Sequence, residues 1–188
     1  MLAIAGMTLL AAAVAGAGGE IIGKPCPEWS NSKWAQGGPL HLSDLRGKVV
    51  LVRFFMESGC PYCHGTAPSL NEFDREFGPR GLVVVGMYTP KPRPRPTSVE
   101  TVQRHVVAYG FQFPIAVDDD WATLRRLWLD RVRDPDFTSA SLLIDRHGIV
   151  RHVHPGGVYA KDAVAPQTRR DYDDMRTAIV RLLAEEAG

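Results

Sequence analysis

The sequence has few cysteines and little net charge, and each deficit excludes a class of protein. Three cysteines in 188 residues are too few for a disulfide-stapled scaffold and cannot form a four-cysteine zinc site. With 22 Lys plus Arg against 21 Asp plus Glu, the net charge of +1 gives no reason to expect a nucleic-acid partner. A hydrophobic content of 45% and a charged content of 23% are ordinary for a globular protein, and they exclude a disordered chain, a coiled coil and a polytopic membrane protein. The length predicts one domain with short additions.

Charge is also missing from the N-terminal stretch. Residues 2–17 are almost entirely small or apolar, and no Lys or Arg precedes Lys24. The stretch is shorter than the roughly 20 residues that span a bilayer as a helix. Its Ala15-Gly16-Ala17 end fits the small-x-small pattern of a signal-peptidase site. We therefore expect a signal peptide or short membrane anchor over residues 1–20, a single domain over residues 21–188, and a protein that works outside the cytoplasm.

The remaining sequence alternates between strand and helix patterns. An apolar, β-favouring run at residues 49–55, broken only by Arg53, predicts a buried strand. Further strands are predicted at residues 82–88, 115–117, 141–145 and 149–154, the last two as a hairpin. Helices are predicted from the Cys63 region to Gly78 and at residues 98–109, 121–130 and 171–187. A small N-terminal hairpin is predicted at residues 29–42.

A basic, proline-rich segment follows the predicted strand at residues 82–88. From Pro90 to Pro96, four prolines alternate with Lys91, Arg93 and Arg95. Such a segment cannot form a helix or an interior strand, so an extended, solvated loop is expected. The simpler interpretation is a rigid connector. The functional interpretation is a basic lip beside a site, because α/β sites lie at the C-terminal ends of central strands.

The most informative motif is Cys60-Pro61-Tyr62-Cys63, which follows the strand at residues 49–55 and opens the next helix. Free N–H groups and the helix dipole at this position favour a thiolate. The spacing allows the two sulfurs to form a reducible disulfide. Cys60 is therefore the expected nucleophile on a substrate disulfide, and Cys63 is expected to resolve the mixed disulfide. Pro61 fixes φ in the short loop and Tyr62 adds uncharged bulk, so both are expected to contact the substrate.

Four segments of the chain carry one family pattern. They are Gly23-Lys24-Pro25, residues 42–52, the Cys60–Cys63 motif with Pro68 behind it, and residues 142–148. Together they resemble the TlpA/ResA-like thioredoxin family of extracytoplasmic thiol-disulfide oxidoreductases, within the redoxin superfamily. The resemblance implies an α/β thioredoxin fold, with a central mixed sheet flanked by helices. It also implies protein disulfides or dithiols as substrates, net reduction, and a membrane thiol-electron donor as a possible partner. We expect no cofactor and no resident metal.

The family places a cis-proline before the strand that contains residues 142–145. Here Ser139 stands at that position, between Thr138 and Ala140. A cis bond before a non-proline residue costs about 2.5–4 kcal/mol, against about 0.5–1 kcal/mol before proline. We therefore predict a trans Thr138–Ser139 bond in a loop close to Cys60. Thr138 and Ser139 are the expected polar substrate-binding residues of an unusually open site.

Two alternative chemistries are open to the same motif. With His64 added, it matches the Cys-x-x-Cys-His signature of covalent c-type haem, His64 being the axial ligand. The β-type run before the motif argues against a small helical cytochrome. A peroxiredoxin-like peroxidase is the second alternative, because peroxiredoxins share the fold. Their Pro-x-x-x-Thr-x-x-Cys pattern, however, fits neither Cys60 nor Cys63.

Copper or other metal handling is the alternative that is not an enzyme. Cys60 and Cys63 are soft ligands that select Cu(I) or Zn. His152 and His154 alternate along one predicted strand and so share a face. The simpler interpretation places these two histidines on the surface of the hairpin. Cys26 has no spaced partner and is expected to be a small buried hydrophobe.

Overall fold

The structure is a computed structural model that describes residues 17–185. The predicted signal peptide or anchor lies almost wholly outside the described residues. A short 3-10 turn, Gly19–Ile21, opens the described part and buries Ile21. Within residues 17–185, no helix is both long enough and apolar enough to cross a membrane.

One six-stranded mixed sheet forms the centre of the molecule, with strand order β1-β4-β3-β2-β5-β6. The strands are β1 (Lys33–Gln36), β2 (Val49–Phe55), β3 (Leu82–Tyr88), β4 (Ile115–Val117), β5 (Ser141–Ile144) and β6 (Val150–His154). The β2 and β3 bounds are those predicted, because all seven residues of β2 and nearly all of β3 are buried, as the unbroken apolar runs required. Register irregularities interrupt the β1–β4 and β5–β6 pairings.

The sheet topology brings four loops to one edge. β2 and β4 run parallel to β3, whereas β5 runs antiparallel to β2. Phe55 at the end of β2 therefore pairs with Tyr88 at the end of β3, and Arg53 pairs with Ser141 at the start of β5. The loops that follow β2, β3 and β4, together with the loop before β5, meet at this edge.

Helices cover both faces of the sheet. They are α1 (Pro61–Phe77), α2 (Val99–Tyr109), α3 (Ala122–Leu124), which continues as a π-turn over Arg125–Leu129, and α4 (Pro166–Ala184). Phe73 of α1, Val106 of α2 and Met175 of α4 share one apolar core. Leu124 and Trp128 pack into a second core against the opposite face. The α/β class and the mixed sheet flanked by helices are thus as predicted.

The predicted N-terminal hairpin is wrong. β1 is a single strand that pairs antiparallel with the free edge of β4, Lys33 lying opposite Val117. The chain turns away after β1 at Gly37, where φ is +61°, and Pro39 has no N–H to donate to a returning strand. The return segment instead places Leu42 in the second core. The closing helix also begins earlier than predicted, at Pro166 rather than at residue 171.

Candidate active site

The two cysteines of the motif lie at the start of α1, as predicted. Cys60 is the N-cap residue of α1, with extended backbone, and Pro61 occupies the first helical position. The Cys60 Sγ accepts a hydrogen bond from the backbone N–H of Cys63 at 3.4 Å. Both cysteines are free thiols. The sulfur of Cys60 therefore takes the capping role at a helix N-terminus, where a negative charge is stabilised.

The two thiols differ in access rather than in overall burial. Cys60 is only 7% exposed, less than the sequence suggested, and Cys63 is 3% exposed. Cys60 nevertheless lines a cavity of about 370 Å³, which Cys63 does not reach. A substrate that enters this cavity meets Cys60 first.

The environment of Cys63 keeps that thiol protonated. Burial, with the Cys60 side chain as a further cause, raises the pKa of the Cys63 thiol to about 11. The Met56 backbone and the guanidinium of Arg53 act in the opposite direction but do not cancel the effect of burial. At neutral pH, Cys63 is thus a protonated thiol beneath Cys60.

Arg53 is a buried cation inside β2, close enough to Cys63 to lower its pKa. Its guanidinium donates to Ser141 Oγ at 3.2 Å and to the Gly157 carbonyl at 2.9 Å, and it lies 5.5 Å from the centre of the Tyr159 ring. Among the described residues, no carboxylate forms an ion pair with it. A charge held only by neutral groups is costly to bury. In the sequence, Arg53 stood out only as one basic residue in an otherwise apolar strand, and that pattern did not indicate which groups Arg53 contacts.

Aromatic and imidazole side chains hold the loop between β2 and Cys60. The Ser58 backbone N–H donates to Nδ1 of His105 at 3.2 Å, and the Tyr109 hydroxyl donates to the Glu57 carbonyl at 2.8 Å. Nε2 of His64 lies 2.5 Å from the Ser58 carbonyl, and the His64 ring packs on the Tyr109 ring at 4.7 Å. Contacts from α1 and α2 therefore fix the approach to the cysteine pair.

Three of the four predicted substrate-contact residues line the cavity. They are Tyr62, Thr138 and Ser139. Pro61 is exposed at the start of α1 and lies outside the cavity lining. The Thr138–Ser139 peptide bond is trans, as predicted, and both residues share the cavity with Cys60.

The cavity also contains two aromatic residues that the sequence did not single out, together with one residue of the predicted basic lip. Trp121 and Phe137 form apolar walls, and the ring of Phe137 lies 6.3 Å from that of Tyr62. Lys91, from the proline-rich loop, places its Nζ 4.4 Å from the centre of the Trp121 ring. The basic-lip interpretation of this loop is therefore supported at Lys91, the one basic residue of the loop that lines the cavity.

Other candidates lie away from the cavity. Cys26 is buried in the second core, and burial raises its pKa to about 12, in keeping with a buried hydrophobe. His154 is buried rather than on the surface, with Nε2 3.5 Å from a carboxylate oxygen of Asp171 on α4. Within residues 17–185, no three His, Cys, Asp or Glu side chains are grouped as metal ligands.

Two curated proteins are similar to this chain over part of their length. DipZ of Mycobacterium bovis is 34% identical over 123 residues, which make up 63% of this chain and 16% of DipZ. The thiol-disulfide oxidoreductase ResA of Halalkalibacterium halodurans is 27% identical over 123 residues, which make up 65% of this chain and 62% of ResA. The chain thus spans less than two thirds of either relative.

The fold has close solved counterparts. The structure of a thiol-disulfide isomerase from Corynebacterium glutamicum aligns with a TM-score of 0.63 at 24% identity, covering 86% of this chain and 97% of that one. This likeness confirms the predicted thioredoxin fold. A family model described as the AhpC/TSA family matches residues 22–153. The chain belongs to the AhpC/TSA family.

Proposed function

We propose that the protein is a thiol-disulfide oxidoreductase that reduces protein disulfides outside the cytoplasm. Cys60 is the nucleophile and Cys63 the resolving thiol. The observation that carries the proposal is the asymmetry of the pair: Cys60 caps α1 and opens on the cavity, while Cys63 is buried behind it as a protonated thiol. The similarity to ResA supports the same activity.

The reaction follows from this arrangement in two exchanges. The Cys60 thiolate attacks one sulfur of the substrate disulfide, the substrate S–S bond breaks, and the departing substrate sulfur takes up a proton. Cys63 then loses its proton and attacks the Cys60 sulfur, which releases the second substrate thiol. The substrate gains two electrons and two protons, and the protein is left with a Cys60–Cys63 disulfide. A reduced dithiol partner must restore the pair, for which a membrane thiol-electron donor is the proposed source.

The extracytoplasmic setting is proposed from the sequence. The apolar residues 2–17 end in a small-x-small site, which favours export or a short anchor. Protein disulfides, the proposed substrates, persist outside the cytoplasm and are rare within it.

The structure supports covalent haem attachment and metal handling less well than it supports disulfide reduction. In covalent haem, His64 would turn a ring nitrogen to iron, but its Nε2 already contacts the Ser58 carbonyl. For metal handling, His152 and His154 lie against α4 and outside the cavity of Cys60.

Cysteine variants test the proposed roles. We expect Cys60→Ser to lower disulfide reductase activity by more than about a hundredfold, because the attacking thiolate is lost. Cys63→Ser should instead accumulate a mixed disulfide between Cys60 and the substrate, visible by mass spectrometry of the acid-quenched reaction. Cys26→Ala is the matched control, because Cys26 lies in the opposite core, and it should retain activity.

Two results would contradict the assignment. One is steady turnover by Cys63→Ser without a trapped intermediate. The other is slow alkylation of Cys60 at neutral pH in the wild-type protein, since an unreactive Cys60 could not begin the reaction.

A further inference from the structure

The cavity in front of Cys60 contains an ammonium group that has no hydrogen-bond partner among the described residues. Nζ of Lys91 is shielded from solvent and makes no hydrogen bond within residues 17–185. Its contact is with the face of the Trp121 ring, 4.4 Å from the ring centre. A cation–π contact recovers only part of the hydration that the ammonium has lost. In keeping with this, burial lowers the pKa of Lys91 to about 8.

The nearby carboxylates do not neutralise this ammonium. Glu57 is ion-paired with Arg95 at 2.9 Å. Asp136 lines the same cavity but lies beyond ion-pair distance of Lys91, as do the other carboxylates within residues 17–185. Arg95 also donates to the Lys91 carbonyl within the same loop, and its ion pair with Glu57 holds that loop against the segment before Cys60. Glu57 and the two cysteines are close enough to raise the pKa of Lys91 against the effect of burial, but among the described residues no carboxylate forms an ion pair with its ammonium.

The walls around Lys91 indicate what kind of anion the cavity accepts. Phe55, Trp121 and Phe137 supply apolar surface, and the volume of about 370 Å³ can hold a side chain of moderate size. Thr138 adds a hydroxyl-bearing side chain to the cavity lining. An acidic side chain of a peptide has the matching parts, with an aliphatic stem for the apolar walls and a carboxylate for the ammonium.

We propose that Lys91 makes this cavity a subsite for an acidic side chain next to the substrate disulfide. When a substrate cysteine reaches Cys60, the neighbouring carboxylate pairs with Nζ of Lys91 and its stem packs on Trp121. Lys91 is thereby a specificity-determining residue for acidic sequences. This inference rests on the proposed disulfide reductase function.

The test uses two synthetic peptides with the same intramolecular disulfide, one with Glu and the other with Gln beside the attacked cysteine. We expect the wild-type protein to reduce the Glu peptide with a kcat/KM about tenfold above that of the Gln peptide, the range of a single desolvated charge pair. Lys91→Met should lower kcat/KM for the Glu peptide about tenfold, so that the ratio of the two kcat/KM values falls to about one. Lys91→Arg should retain most of the preference.

Arg93→Met is the matched control, since Arg93 lies in the same loop, is exposed and does not line the cavity. It removes the same charge from the loop and should leave the preference intact. Equal loss of preference in Arg93→Met and Lys91→Met would mean diffuse loop charge rather than a subsite, and would overturn the proposal. The proposal would also be overturned if Lys91→Met reduced both peptides equally slowly and shifted the pH dependence of Cys60 alkylation. Lys91 would then act on the Cys60 thiolate rather than on the substrate.

Binding measurements separate this inference from the proposed function. Calorimetry with Cys60→Ser measures binding of the same two peptides without any exchange of disulfides. Failure of the wild-type protein to reduce either peptide would refute the reductase function. The subsite would still be supported if Cys60→Ser bound the Glu peptide more tightly than the Gln peptide and the Cys60→Ser, Lys91→Met double variant did not. Equal binding of both peptides by Cys60→Ser would overturn the subsite.

Discussion

Arg53 places a buried positive charge inside β2, close enough to Cys63 to lower the pKa of that thiol. Arg53 is 1% exposed, and its guanidinium contacts Ser141, the Gly157 carbonyl and the Tyr159 ring. An apolar residue would fit this strand with no desolvation cost. Because the charge lowers the pKa of Cys63 against the effect of burial, we expect Arg53 to act as a positioning residue for Cys63 in its proposed resolving role.

Removal of this charge should slow the second exchange of the reaction. In Arg53→Met, the pKa of Cys63 rises further above its value of about 11, so a smaller fraction of Cys63 is thiolate at neutral pH. We expect resolution of the mixed disulfide to slow by at least about threefold at pH 7, since one pKa unit changes the thiolate fraction about tenfold. The rate of resolution should rise with pH in both proteins, with the variant profile displaced to higher pH. Single-turnover decay of a preformed Cys60 mixed disulfide measures this.

A conservative variant distinguishes charge from packing. Arg53→Lys keeps the positive charge and should restore much of the wild-type pH profile. If Arg53→Met lowered only the free energy of unfolding and left the pH profile in place, Arg53 would be structural and the positioning role would be wrong.

At the scale of elements, the loop before β5 forms one side of the cavity with an ordinary trans peptide at Ser139. Among the described residues, the Ser139 backbone N–H makes no backbone hydrogen bond that a proline would remove. The start of β5 is still anchored, since the Phe54 N–H donates to the Ala140 carbonyl at 3.1 Å. The loop therefore tolerates a change at residue 139 while the strand that follows stays in register.

Ser139→Pro should accordingly change the site without changing the fold. Proline reduces the cost of a cis bond at this position to about 0.5–1 kcal/mol, and a cis bond here is what the family resemblance implies. We expect a severalfold higher kcat/KM on a disulfide peptide and weaker Cu(I) binding by the reduced protein. Unchanged kinetics and unchanged copper titration would show that residue 139 does not shape the site.

Over the whole molecule, the direction of electron flow is set by the balance between the dithiol and the disulfide. The buried Cys63 thiol, with its pKa raised to about 11, gives the reduced pair little stabilisation through ionisation, so the disulfide is comparatively favoured. We expect a reduction potential near or below about −270 mV, which is that of a reductant. Equilibration with thiol redox buffers, followed by alkylation and mass spectrometry, measures it. A value near about −120 mV would identify an oxidant instead.

Patterning predicted those parts of the fold that rest on local sequence. The runs at β2 and β3 are apolar throughout because both faces of those strands are buried, so their bounds were readable from the sequence. The position of the Cys60–Cys63 motif at the start of α1 could be predicted, because a strand, a short loop and a proline-led helix follow in order. The pairing of β1 could not be predicted, because its partner β4 is about 80 residues away along the chain and no local sequence pattern indicates that contact. The same holds for the contact between Lys91 and Trp121, because these residues come from different loops and meet only when β3 and β4 align.

The register irregularities in the two outermost strand pairs affect how readily two copies of this chain could pair through the borders of their sheets. β1 and β6 are the sheet's borders, and each pairs with its inner neighbour through an irregular register. At one border, the ammonium of Lys33 is tied to Asp119 beside the strand. Border strands with irregular pairing and charged side chains are poor templates for strand addition from another molecule. We therefore expect these two borders to disfavour edge-to-edge pairing between copies of this chain.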